Sequence, residues 1–99
     1  MNLERYQNQY SSLRFHACDN RILEIVIDSG KRNNPMSATM HHDIAYVWQD
    51  IDHDVDIDTV IVRGEGTGFS AGGDFDLVNS MVENDEALLQ GWKECKDLV

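Results

Sequence analysis

Gly64-Glu65-Gly66-Thr67-Gly68-Phe69-Ser70-Ala71-Gly72-Gly73-Asp74 decides how this 99-residue chain is read. The segment follows the apolar run Thr59-Val60-Ile61-Val62 and places five glycines within positions 64–73. Glycines let the backbone bend sharply and leave its amides uncovered. Asp74-Phe75-Asp76-Leu77 then reads as a helix start with Asp74 as N-cap. A strand, a glycine loop and a helix N-terminus together can hold negative charge on main-chain N–H groups. The charge would belong to a phosphate, to a nucleophile with its oxyanion, or to an oxyanion alone.

Upstream, Leu13, Phe15 and Ala17 alternate with Arg14, His16 and Cys18, the period of a half-buried strand. Asp19-Asn20 reads as a tight turn, and Ile22 to Ile27 as a second, more apolar strand. Asp28 to Pro35 is a loop. Ser37 caps a helix whose apolar positions Met40, Ile44, Val47, Trp48 and Ile51 share one face. Asp50 to Asp58 is an acidic connector, with its aspartates at alternate positions. Downstream, Asn84 opens a helix with Leu88, Trp92, Cys95 and Val99 along one face. Residues 1–12 read as a polar leader, frayed or loosely docked. The order predicts an α/β architecture with a mixed sheet. Because the last helix has no terminating signal, residues 1–99 are expected to be the N-terminal part of a longer domain.

A formal charge of −10 excludes a nucleic-acid reading, which needs a basic footprint, and weighs against an anionic membrane surface. No apolar run approaches the ~20 residues of a membrane span, and the N-terminus lacks a signal-type apolar stretch. Cys18 and Cys95 show no CxxC spacing, which predicts a reduced, cytoplasmic protein.

The phosphate-loop reading fails because Asp74 stands where the lysine of a Walker loop belongs. The dinucleotide fingerprint fails at Phe69. Gly68-Phe69-Ser70-Ala71-Gly72 satisfies G-x-S-x-G, but an elbow serine follows its strand directly, and no histidine follows His53 to complete a triad with Ser70. The oxyanion reading needs only backbone and small neighbours, which Ala71-Gly72-Gly73 supplies. A structural glycine turn stands beside it as the plain alternative.

Ile25 to Ile27, Asn34-Pro35-Met36-Ser37, Val60-Ile61-Val62-Arg63-Gly64-Glu65-Gly66 and Phe69-Ser70-Ala71-Gly72-Gly73-Asp74-Phe75 together resemble the crotonase superfamily of enoyl-CoA hydratases and isomerases. The resemblance runs from about Leu13 to Met81, and more loosely to Val99. It implies a spiral of ββα turns, trimers or pairs of trimers, and an acyl-CoA substrate, with coenzyme A present only as part of that substrate. It implies that the Gly73 N–H is one oxyanion donor, that Ala71 and Gly72 lie beside the thioester, and that Lys31 or Arg32 meets a CoA phosphate. Asn34 is expected to hold its loop by side-chain-to-backbone bonds. The family's second donor and acid/base carboxylates come from later segments, so this chain alone is expected to be inactive. Enoyl-CoA hydration, by stabilising a thioester enolate in fatty acid metabolism, is the default activity. A serine hydrolase using Ser70 and a non-catalytic fragment or binding module are the alternatives.

Other residues have plainer readings. His41-His42-Asp43 is a solvated helix face and not a metal site. The aspartates of the connector mimic a calcium loop, but Thr59 occupies the position needing glycine, so a solvated connector is expected. Trp48 and Trp92 are expected in the core.

Overall fold

The computed structural model describes residues 1–98. Its elements run α1 (Leu3–Gln9), β1 (Leu13–Asp19), β2 (Ile22–Ile27), α2 (Ala38–Asp52), β3 (Thr59–Gly64), α3 (Phe75–Glu83) and α4 (Asp85–Leu98). Strands β1 and β2 form the expected antiparallel hairpin, from Leu13 opposite Ile27 to Asp19 opposite Ile22. The turn is Asn20-Arg21, one residue later than the sequence suggests, with Arg21 at φ 70°. The shift accompanies a register irregularity between Ala17 and Asp19, which inserts Cys18 as an extra residue.

Strand β3 lies parallel to β2, from Ile22 opposite Thr59 to Ile27 opposite Gly64. Parallel neighbours need a crossover, and α2 supplies it. Ser37 caps α2 by accepting the Met40 N–H at 3.2 Å. Met40, Ile44, Val47 and Ile51 of α2 are buried with Leu13, Phe15, Leu23, Ile25 and Ile27 of the sheet, as the spacing predicts. Trp48 is half-buried against this core.

The first departure is residues 1–12. They are not a loose leader: Leu3–Gln9 is helical, and Tyr6 and Tyr10, one turn apart, are buried in the main core. Both rings lie tilted against Phe15, with centroids 5.6 and 6.5 Å away. Their hydroxyls explain the acidic connector, for the Tyr6 O–H donates to Asp54 and the Tyr10 O–H to Asp50. Burial, reinforced by these carboxylates, pushes both phenols above their ordinary range. Asp58 takes a paired contact from Arg21, and the N-terminal ammonium pairs with Asp56. Four of the five aspartates of the connector are therefore anchors for the N-terminal arm or the hairpin turn, Asp56 and Asp58 while still mostly exposed, and Asp52 alone keeps the expected solvated role among the described contacts.

The second departure is α4. Asn84 caps it as expected, accepting the Glu86 and Ala87 N–H groups. Leu88 and Trp92, however, face outward, with Trp92 64% exposed; Cys95 is exposed but turns its thiol toward α2, Gly91 and Glu94 are buried, and Val99 lies outside the described residues. Gly91 packs so close to α3 that a Cβ there would sit 2.8 Å from Met81 Sδ. Glu94 faces His41 of α2, whose Nδ1 lies 2.6 Å from Glu94 Oε1. His41 is thus buried, not part of a solvated face, and Trp92 is not core. His42 does face solvent.

Candidate functional site

The site is built where β3 ends. Gly64 packs so tightly under the loop that a Cβ would meet the Gly68 carbonyl oxygen at 2.3 Å, so only glycine fits. The Glu65 N–H donates to the Ile27 carbonyl at 2.8 Å, the last tie between the loop and the sheet. Beyond it the chain turns through Gly66 at φ 82° and runs back past Asn33 and Asn34.

Asn34, 2% exposed, joins the two loops. Its Nδ2 donates to the Glu65 and Gly68 carbonyls at 2.9 and 3.0 Å, and its Oδ1 accepts the Ser29 N–H at 3.2 Å. This is the side-chain-to-backbone role expected for it. The Ser70 hydroxyl is spent the same way, donating to the Asn34 carbonyl at 2.9 Å and accepting the Gly72 N–H at 3.2 Å. Among the described residues no histidine is hydrogen-bonded to Ser70, so a nucleophile-and-base pair is not formed there.

Met36 forms an isolated parallel bridge to Gly73, outside the three-stranded sheet. The Met36 N–H donates to the Gly72 carbonyl at 2.6 Å, and the Asp74 N–H donates to the Met36 carbonyl at 2.7 Å. Those bonds use the groups on either side of Gly73. In a parallel ladder the intervening residue turns its own polar groups to the opposite side, and the Gly73 N–H has no hydrogen-bond partner among the described residues. Gly72 sits at φ 89°, a conformation that makes this geometry possible and that favours glycine. Asp74 caps α3 as expected, accepting the Leu77 N–H at 2.8 Å.

Gly73 and Ala71 line a cavity of about 670 Å³ together with Lys31, Arg32, Pro35, Asp74, Phe75 and Asp76. The structure thus brings Lys31, Arg32, Ala71 and Gly73 to one place, although about forty residues separate the two groups in sequence. Gly72 shapes the loop and is not part of the lining. The four other arginines are paired with carboxylates, whereas Lys31 and Arg32 make no ion pair among the described residues. Asp74 and Asp76 also line the cavity, so two carboxylates face the two cations; one Asp74 oxygen is held by its capping bond to the Leu77 N–H. Pro35 and Phe75 were not singled out from sequence. Phe75 is 89% exposed at a helix start, and an apolar residue directly after a capping aspartate was the available signal.

Among the described residues no group of three or more His, Cys, Asp or Glu side chains is arranged to hold a metal ion, and no helix is long and apolar enough to cross a membrane.

No protein-family model and no curated protein matches the chain. Solved structures do. An enoyl-CoA hydratase/isomerase from Mycobacterium paratuberculosis aligns over 88% of this chain and 34% of its own, at 21% identity and TM-score 0.81. An enoyl-CoA hydratase from Shewanella pealeana aligns over 99% of this chain and 37% of its own, at 18% identity and TM-score 0.82. A β-diketone hydrolase from Anabaena aligns over 99% and 39%, at 26% identity and TM-score 0.78. The chain therefore has the α/β crotonase fold over about a third of the length of these enzymes.

Proposed function

We propose that this chain forms part of an enzyme acting on acyl-CoA thioesters, of the enoyl-CoA hydratase/isomerase kind, with the Gly73 N–H as one of two oxyanion donors. The observation that carries the reading is a Gly73 N–H without a hydrogen-bond partner among the described residues, on a cavity lined also by Lys31 and Arg32, which make no ion pair among them. A fixed donor of this kind favours the enolate oxygen over the neutral carbonyl, because its dipole needs no reorganisation as charge develops. Lys31 and Arg32 suit the phosphates of the CoA moiety, and Ala71 leaves room for the thioester. Coenzyme A enters as part of the substrate; the proposal needs no resident cofactor. The second donor and the carboxylates that move protons are assigned to no residue of this chain. Hydration of an enoyl thioester is the default reaction. The proposal extends to a cytoplasmic trimer or hexamer.

The test is activity of the full-length enzyme on short enoyl-CoA substrates. Gly73→Pro, which deletes the N–H, is expected to lower kcat by about 10²–10³-fold, the effect of losing one such donor. Ser70→Ala is expected to keep most of the activity, because its hydroxyl braces the loop. The reverse ranking would favour a serine hydrolase. Lys31→Ala with Arg32→Ala should raise KM for CoA substrates more than for pantetheine analogues, which lack the nucleotide.

A further inference from the structure

Away from the cavity, three reactive side chains meet between α2 and α4. His41 Nδ1 lies 2.6 Å from Glu94 Oε1, and Cys95 Sγ lies 3.4 Å from His41 Nε2. Both His41 and Glu94 are buried, at 8% and 5% exposure, while Cys95 is open to solvent. Glu94 and Cys95 occupy opposite nitrogens of one imidazole, so they cannot share a metal ion with it. The arrangement instead orders a proton path. An ionised carboxylate can only accept, so Glu94 places the histidine proton on Nδ1 and leaves the Nε2 lone pair facing the thiol. The Gln90 amide donates to the other Glu94 oxygen at 2.8 Å and fixes the carboxylate.

We propose that Cys95 is a modification site: a thiol activated by His41 and Glu94 that exchanges with low-molecular-weight disulfides. The Cys95 proton passes to His41 Nε2, and the resulting imidazolium is held by Glu94. The thiolate attacks one sulfur of the disulfide, a new S–S bond forms as the old one breaks, and the leaving thiolate takes the proton from His41. The products are a mixed disulfide on Cys95 and one free thiol, with no net oxidant required beyond the disulfide itself. The site shares no residue with the cavity and does not depend on the proposed activity.

The molecule contains its own control. Cys18 is also exposed, but its thiol lies 3.6 Å from the Glu24 carboxylate. Desolvation, then the Glu24 charge, push that thiol above its ordinary range. Exposure alone therefore does not separate the two cysteines; their partners do.

The experiment incubates the full chain with oxidised glutathione at pH 7 and follows each cysteine by peptide mass spectrometry. Cys95 is expected to form the mixed disulfide at least about tenfold faster than Cys18, because an imidazole nitrogen stands 3.4 Å from its sulfur whereas a carboxylate stands beside that of Cys18. Glu94→Gln keeps an acceptor for Nδ1–H but removes the charge, and is expected to slow Cys95 at least fivefold while leaving Cys18 unchanged. A wild-type ratio near one, or a Cys95 rate that Glu94→Gln does not alter in a folded chain, would overturn the proposal. The wild-type ratio needs no variant, so it decides the matter even where a substitution loosens α4.

Discussion

Helices α2 and α4 bury their surfaces by different rules. In α2 the apolar stripe Met40, Ile44, Val47 and Ile51 is the buried face, pressed on the sheet. In α4 the apolar residues Leu88, Leu89 and Trp92 are exposed, and the contact with α2 and α3 runs through Gly91 and Glu94. Spacing identifies which residues share a helix face, but the neighbour decides which face is covered. A hydrophobic sheet covers the first helix. A buried histidine and a methionine meet the second, and these accept a carboxylate and a glycine.

The comparison is open to direct attack, most strongly in the core. Ile44→Ala is expected to destabilise the chain by about 3 kcal/mol, the usual cost of such a truncation in a packed interior, measured by denaturant unfolding at 25 °C. A loss below 1 kcal/mol would mean that α2 is no better anchored than α4. Next, Glu94→Ala strands the buried His41 without its acceptor and is expected to cost about 1–3 kcal/mol. A neutral result would show that α4 is held by something other than this pair. On the outward face, Trp92→Gln is expected to change stability by no more than about 0.5 kcal/mol. A large loss there would reveal a covered surface and break the contrast.

The smallest effect concerns the N-terminal arm. Desolvation pushes the Asp54 carboxyl up, but the Asp56 N–H and the Tyr6 hydroxyl that it accepts outweigh this and hold it below its ordinary value. Arg21 lowers Asp58 likewise. A carboxyl lowered by folding stabilises the fold above its unfolded pKa, and the benefit is lost as pH falls through the folded pKa. Amides of Leu3–Gln9 should therefore lose hydrogen-exchange protection below about pH 4, ahead of those in β2. Simultaneous loss would show that the aspartates do not hold the arm.

Much of this was legible in the sequence, because the relevant signals are local. The Ser37 and Asp74 caps, the hairpin alternation and the glycine loop each depend on residues within a few positions of one another. They placed the strands, α2, α3 and the loop that carries Gly73. The role of Asn34 also followed from its residue type in a turn-rich loop. What stayed hidden depends on distant partners. Tyr6 and Tyr10 looked like polar-segment residues until Asp54 and Asp50 gave their hydroxyls somewhere to go. His41 looked solvated because Glu94 lies 53 positions away. The cavity was half legible: its residue types were singled out, but the contribution of Pro35 and Phe75 appears only when the two loops are brought together by the Asn34 amide.

The bridge between Met36 and Gly73 has a steric corollary. A free amide at the margin of a β-ladder presents its hydrogen within the pleat, not above or below it. An acceptor oxygen meets such a hydrogen along the line of the N–H bond, in the plane of the bridge, while the acceptor's own plane stays free to turn about that line. The bridge thus sets the direction of approach and leaves the tilt open.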